Sequence, residues 1–334
     1  MRGRKREGTR GGTRGETPGG RHGESRGGTR RPSRRNARRV RRPFRTGIAA
    51  AGALALLCTG ALTGCETGAP EPSASPTPTP QPTPDWDRTP SSVAAVGDSI
   101  TRAFDACTLL ADCPEASWAT GTDAGVNSLA LRLLGPERVA GRSWNLARSG
   151  ARMADLPEQM AAAGTRKPEL VTVLMGANDA CRTTAAQMTP VAEFRADFEA
   201  SLANLRSSAP KAQVYVSSVP DLKRLWARGK DSPTSRRVWS LGICASMLAD
   251  PLDLTASAER RRTTVRDRVV AYNEVLAEVC ARDRRCRYDG GAVFGFPFDG
   301  RQLSPWDWFH PSKAGQARLA ELAHRQVTAA EPPA

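Results

Sequence analysis

Three short apolar runs constrain this chain more than any other feature: Ser92-Val93-Ala94-Ala95-Val96, Leu170-Val171-Thr172-Val173-Leu174-Met175 and Gln213-Val214-Tyr215-Val216-Ser217-Ser218-Val219. Gly97 and Gly176 close the first two, and Pro220 closes the third. Runs this short and this uniformly apolar suit strands buried on both faces. Between them the pattern predicts helices over 126–134, 152–163 and 190–207. A long helix is expected over 256–284, where Val265, Val269, Tyr272, Leu276 and Val279 recur at helical spacing. A last short strand is expected at Arg287-Tyr288-Asp289. Strands alternating with helices imply a parallel sheet covered on both faces, because parallel neighbours need a crossover connection. In such sheets ligands bind beyond the carboxyl ends of the strands. The two glycine-ended strands therefore deliver Ser99 and Asn178 to one edge.

The rest of the chain reads as appendages to a folded domain over 91–330. Residues 1–46 have hardly an apolar side chain and are expected to be disordered. They also hold 17 of the 49 basic residues and 3 of the 34 acidic ones, so the net charge of +15 is concentrated there and the remainder is within one charge of neutral. That location argues against nucleic-acid binding by the domain. A basic tail can still bind phosphates without reading sequence, but the next segment favours a targeting role. Residues 47–65 form an uncharged, Ala- and Gly-rich stretch that ends in Leu62-Thr63-Gly64-Cys65, similar to a bacterial lipobox, with Arg41-Arg42-Pro43-Phe44 upstream resembling a twin-arginine export motif. An uncleaved anchor is the other reading; both hold the domain at the outer face of a membrane. Residues 66–90 are Pro-rich, an extended linker between lipid and domain.

Of eight cysteines, Cys58 lies in the signal and Cys65 is the candidate lipid-bearing residue. The other six, in an exported domain, imply disulfides with fifteen formal connectivities. Short spacing favours Cys107–Cys113 and Cys280–Cys286, which leaves Cys181–Cys244. A metal site is disfavoured by the absence of any CxxC pair and by a total of three histidines.

Four short motifs carry the chemistry. Gly97-Asp98-Ser99-Ile100-Thr101 follows the first strand; alone it is ordinary turn and helix-capping sequence. Asn145-Leu146-Ala147-Arg148-Ser149-Gly150 and Gly176-Ala177-Asn178-Asp179 are each unremarkable by themselves, as is Asp307-Trp308-Phe309-His310 before Pro311. In this order, at these strand ends, they resemble the SGNH or GDSL hydrolases, esterases and lipases on a flavodoxin-like three-layer α/β/α sandwich with a parallel sheet. Tyr272-Asn273 is a further likeness; Arg102 and the segment 221–255 depart from the pattern.

A serine hydroxyl needs a base to become a nucleophile, and the base needs a partner that fixes its tautomer. His22 lies in the tail and His324 in an amphipathic helix beside Arg325, which leaves His310 as the base. Asp307, three residues earlier, can turn back onto it. The resemblance implies Ser99 as nucleophile, with an oxyanion hole made by the amides of Ser99 and Gly150 and the side chain of Asn178. It also implies a reaction with no cofactor or metal. Asp98 and Asp179 read as loop-shaping residues that bind backbone amides. The expected substrate is a carboxylic ester, with lipid acyl esters favoured; carbohydrate O-deacetylation is the alternative, and a non-catalytic binding lipoprotein the alternative of another class. Oligomeric state is open. In 221–255, the large apolar residues, Trp226 and Trp239 among them, either pack one short extra helix or line an acyl pocket held over Asn178 by Cys181–Cys244. The lipobox reading predicts that the exported protein starts at an acylated Cys65. Mass spectrometry of its N-terminal peptide checks this, and an intact 50–70 peptide would refute it.

Overall fold

A computed structural model describes residues 86–332. Cys65, the expected signal segment and most of the Pro-rich linker lie outside the described residues. Trp86, five residues before the expected Ser91, packs against the core of the domain. The Trp86 indole donates to the Val327 carbonyl (2.8 Å), and the Arg287 guanidinium lies over its ring. Among the described residues, no helix is long and apolar enough to cross a membrane.

The chain runs β1 (Val93–Gly97), α1 (Leu129–Leu134), α2 (Pro136–Arg142), β2 (Ser143–Asn145), α3 (Leu156–Thr165), β3 (Leu170–Leu174) and α4 (Ala177–Ala180). It continues through α5 (Val191–Ser208), β4 (Gln213–Val216), α6 (Leu222–Gly229), α7 (Pro233–Trp239) and α8 (Ala245–Leu248). It closes with α9 (Ala256–Ala281), β5 (Cys286–Tyr288), α10 (Ala292–Gly295) and α11 (Lys313–Thr328). The five strands form one parallel sheet in the order β2-β1-β3-β4-β5. This is the flavodoxin-like order. Helix α5 packs against both α3 and α9, and α1 packs against α11, so that the sheet is the middle of three layers.

The strands are the uniformly buried elements that their composition demands: every residue of β1, β3 and β4 is inaccessible to solvent or nearly so. The strand order reverses at the β1/β3 boundary, where Gly97 pairs with Leu174. The crevice that such a reversal opens is the natural ligand site of this fold, and it lies between the loops that carry Ser99 and Asn178.

Several boundaries differ from those expected. The helix predicted from 126 begins at Leu129, where the Ser128 hydroxyl accepts the Leu131 amide. The helix predicted from 152 opens with a 3₁₀ turn, Met153–Asp155, before α3. The third strand stops at Val216, and the last strand sits one residue earlier than expected. The edge strand β2 was not foreseen; three residues around one Trp carry no periodic signal. Segment 221–255 holds three helices, not one. Asp221 and Ser232 cap α6 and α7 with their side chains.

The disulfides are Cys107–Cys113, Cys181–Cys244 and Cys280–Cys286. The second joins the α4 loop to α8, beside hydrogen bonds from Ser246 Oγ to Ala180 O (2.8 Å) and from Ser246 N to Arg182 O (2.8 Å). Its partners stand 63 residues apart, and on loop entropy alone opening it should cost about 4 kcal/mol. Replacing Cys181 and Cys244 together by serine should lower the urea midpoint accordingly. An unchanged midpoint would mean that packing and these hydrogen bonds hold the segment without the bridge.

Candidate active site

Ser99 sits in a turn that the strand end cannot make alone. A Cβ at Gly97 would lie 2.4 Å from the Leu174 carbonyl oxygen, so only glycine lets β1 end against β3 here. Three carboxamides then clamp the turn. Gln159 of α3 accepts the Gly97 amide (2.8 Å) and donates to its carbonyl (3.0 Å). Gln316 of α11 donates to Ile100 O (2.8 Å) while accepting the Trp118 amide (2.9 Å), and Asn145 donates to Thr101 O (2.9 Å). Both glutamines are buried. Sequence reasoning missed them, since a lone Gln on a helix announces nothing until its partners are known.

The second half of the site comes from the loop before α11. His310 Nε2 is 2.8 Å from Ser99 Oγ, and His310 Nδ1 makes a short contact with Asp307 Oδ2. The other Asp307 oxygen accepts the amides of Phe309 (2.8 Å) and His310 (3.0 Å). Burial works against the Asp307 charge, yet the imidazole and these amides outweigh it and hold the carboxyl below its ordinary range. Phe104 and Phe309 flank the His310 ring, each with its centroid 5.0 Å away. Trp308 between acid and base takes a left-handed backbone (φ 53°), strain of a kind that concentrates at functional sites.

Gly150 and Asn178 line the same cleft as Ser99, Asp307 and His310. Gly150 has φ 81°, while a Cβ there would meet nothing within 4 Å. The backbone turn itself therefore calls for glycine, and no protein atom crowds the position. Among the described residues, the amides of Ser99 and Gly150 donate to no other protein group. One Asn178 amide hydrogen goes to Ala151 O (2.9 Å), which leaves the other free for the cleft. The arrangement offers a hydroxyl, a base in contact with it, an ionised acid behind the base, and three N–H donors beside them.

Asp98 and Asp179 shape the loops, as expected of them. Asp98 accepts the Ile100 amide (2.9 Å), and Asp179 accepts the Met153 amide (3.0 Å) and the Thr189 hydroxyl (2.7 Å). Burial pushes Asp98 up to about 7 and Asp179 up to about 6. His324 is half-buried on α11, and burial lowers its proton affinity.

Trp226 and Trp239 do not line the cleft, which corrects the acyl-pocket reading of them. Trp226 is buried under the Arg262 guanidinium and donates to Pro251 O (3.0 Å). Trp239 donates to the backbone carbonyl of Asp307 (3.1 Å) and so braces the acid loop from behind. From this segment the cleft receives Thr234, Val238, Leu241, Ile243 and Cys244 instead. Two groups of side chains have metal-ligand spacing among the described residues. In Cys107, Cys113 and Glu115 the sulfurs are joined to each other. In Asp105, Asp307 and His310 both ring nitrogens of the histidine are already engaged.

The chain matches the family model of GDSL-like lipases and acylhydrolases over residues 93–323, and it belongs to that family. It is accordingly an ester hydrolase. Similar solved structures include an extracellular lipase from Streptomyces rimosus (19% identity, 72% of this chain and 100% of that one, TM-score 0.41). A phospholipase A1 from Streptomyces albidoflavus follows (18%, 72% and 100%, 0.40). A family two carbohydrate esterase from Clostridium thermocellum is also similar (16%, 71% and 62%, 0.41). No curated protein matches the chain.

The buried Asp98 generates a prediction about stability. Its folded carboxyl takes up a proton near pH 7, an unfolded one near pH 4. The folded state binds the extra proton across that window, so this group's contribution to stability falls as pH rises from about 4 to 7 and is constant above. The stability of Asp98→Asn relative to wild type should therefore rise over that range, in urea unfolding at successive pH values. A difference independent of pH would contradict the assignment.

Proposed function

We propose that this hydrolase cleaves lipid acyl esters through a Ser99-His310-Asp307 triad. The observation that carries the reading is the unbroken chain of contacts from Ser99 Oγ through both ring nitrogens of His310 to Asp307, at the base of an apolar-walled cleft. His310 Nε2 takes the Ser99 proton as Oγ attacks the ester carbonyl. The ring becomes a cation and Asp307, already ionised, stabilises it. The carbonyl oxygen, now negative, is held by the amides of Ser99 and Gly150 and the Asn178 side chain, each such donor contributing about 3–4 kcal/mol to the transition state. As the C–O bond breaks, His310 returns the proton to the leaving alcohol and an acyl group remains on Ser99. Water then repeats the cycle: His310 takes its proton, hydroxide adds to the acyl carbon, and Ser99 leaves with the proton restored.

The cleft supports acyl chains over sugars. It measures about 790 Å³, within the range of small-molecule sites. Its mouth carries Leu110, 74% exposed, Leu241, 81% exposed, and Trp306, 43% exposed. Large apolar groups left in water around a cleft mark where a ligand covers them. A domain held by an acylated Cys65 on a Pro-rich stalk at the outer face of the membrane would meet such substrates; this part of the proposal rests on the sequence motifs alone.

Ser99→Ala and His310→Ala should each lower kcat by at least about 10⁴-fold, and Asp307→Ala should leave partial activity because it transfers no proton. Leu110→Ser with Leu241→Ser should cut kcat/KM for octanoyl and longer esters about tenfold and leave acetyl esters within about twofold, each lost methylene contact being worth about 0.8 kcal/mol at most. Full activity in Ser99→Ala would end the mechanism. A wild-type preference for acetylated sugars would replace lipid esters by O-deacetylation.

A further inference from the structure

A second carboxyl group stands behind the acid of the site. Asp105 is buried, and one of its oxygens, one Asp307 oxygen and a His310 ring nitrogen lie within 4.8 Å of one another. The approach is imposed by the surrounding chain. Asp105 has a left-handed backbone (φ 56°), which residues other than glycine adopt only where their surroundings over-determine it. Its amide donates to Ala111 O (3.0 Å), its side chain accepts the Leu110 amide, and its carbonyl accepts the Ser304 hydroxyl (2.7 Å). Ser304 in turn donates its amide to His310 O (2.7 Å) and accepts the Trp308 amide (2.9 Å). The serine thus ties the Asp105 segment to the loop of acid and base, and Cys107–Cys113 closes that segment.

We infer that Asp105 is a positioning residue for the proposed triad: it backs Asp307 with a second carboxyl group and adds to the negative field that His310 faces. The inference rests on the triad reading. Two carboxyl groups this close in a buried site give up their protons in two separate steps. Asp307 ionises first, because the imidazole and two amides stabilise its charge. Asp105 holds its proton to higher pH, its acidity weakened by burial and by the Asp307 charge. Protonated, it donates to Asp307 and steadies it. Ionised, it adds charge behind Asp307 and strengthens the hold on the imidazolium. Asp98 at the end of β1 is the other carboxyl whose charge the ring feels. Arg102 and Asp112, on the Asp105 segment, pair with each other (2.9 Å).

The test is the pH profile of kcat/KM on a short-chain ester, with the full chain. Asp105→Asn keeps the shape and a donor but cannot ionise, so the acid limb should move down by about one pH unit while kcat at neutral pH stays within about threefold and KM is unchanged. Asp105→Ser, smaller and still a hydroxyl donor, should show the same displacement. Asp105→Ala, which removes the donor, should lose about tenfold or more in kcat. An acid limb identical to wild type in a folded Asn or Ser variant overturns the inference, and so does an Asn variant as impaired as the Ala variant. Failure of the triad reading shows itself separately, as activity in Ser99→Ala.

Discussion

The contact between Ser99 Oγ and His310 Nε2, 2.8 Å across 211 residues of chain, depends on two loops that rise from opposite ends of the domain sequence. Neither loop is held by its own hydrogen bonds alone. The nucleophile turn is fixed by carboxamides from α3, β2 and α11, and α11 begins directly after the loop that carries the base. Gln316 thus links the two halves: it belongs to the helix that His310 precedes, and it holds the carbonyl of the residue after Ser99. Buried amides suit this task, since each satisfies a backbone donor or acceptor that would be costly to leave unpaired in a water-free interior.

Around that contact the fold concentrates strain and fastens it. Ala103, Asp105, Leu110, Trp308 and Cys244, all next to or lining the cleft, take left-handed conformations without being glycine. Two disulfides sit on the segments that carry them. Cys107–Cys113 closes the wall that bears Leu110, and Cys181–Cys244 holds the wall that bears Leu241 and Ile243. The cleft walls are therefore loops and short helices pinned by covalent bonds. A sheet with helices on both faces needs such additions, because its regular elements supply the floor of a site and not its sides.

Much of this was legible in the sequence. The strands β1, β3 and β4 announced themselves because a strand buried on both faces is uniformly apolar, and glycine closed two of them. The residues at those strand ends, with Asp307 and His310, met at one cleft for the same topological reason. Other features depended on partners distant in sequence. Gln159, Gln316 and Asp105 look like ordinary polar residues until the layers bring Gly97, Ile100 and Asp307 to them. For Trp226 and Trp239 the sequence left core packing and pocket lining open, because hydrophobicity marks a residue for burial without saying against what. Both turned inward, one under Arg262 and the other onto the Asp307 backbone. The Asp221 and Ser232-Pro233 helix starts were readable capping signals for α6 and α7, whereas α8 starts at Cys244 without a side-chain cap and carries no such signal.

The proposed triad requires that His310 activate Ser99. Reaction of the intact protein with a fluorophosphonate ester, followed by peptide mass spectrometry, addresses it directly, because such a reagent bonds only to a hydroxyl that a base has made nucleophilic. A single adduct is expected, on Ser99, that disappears in His310→Ala and parallels the loss of esterase activity. An adduct on another residue, or full esterase activity in protein whose Ser99 is completely modified, would contradict it.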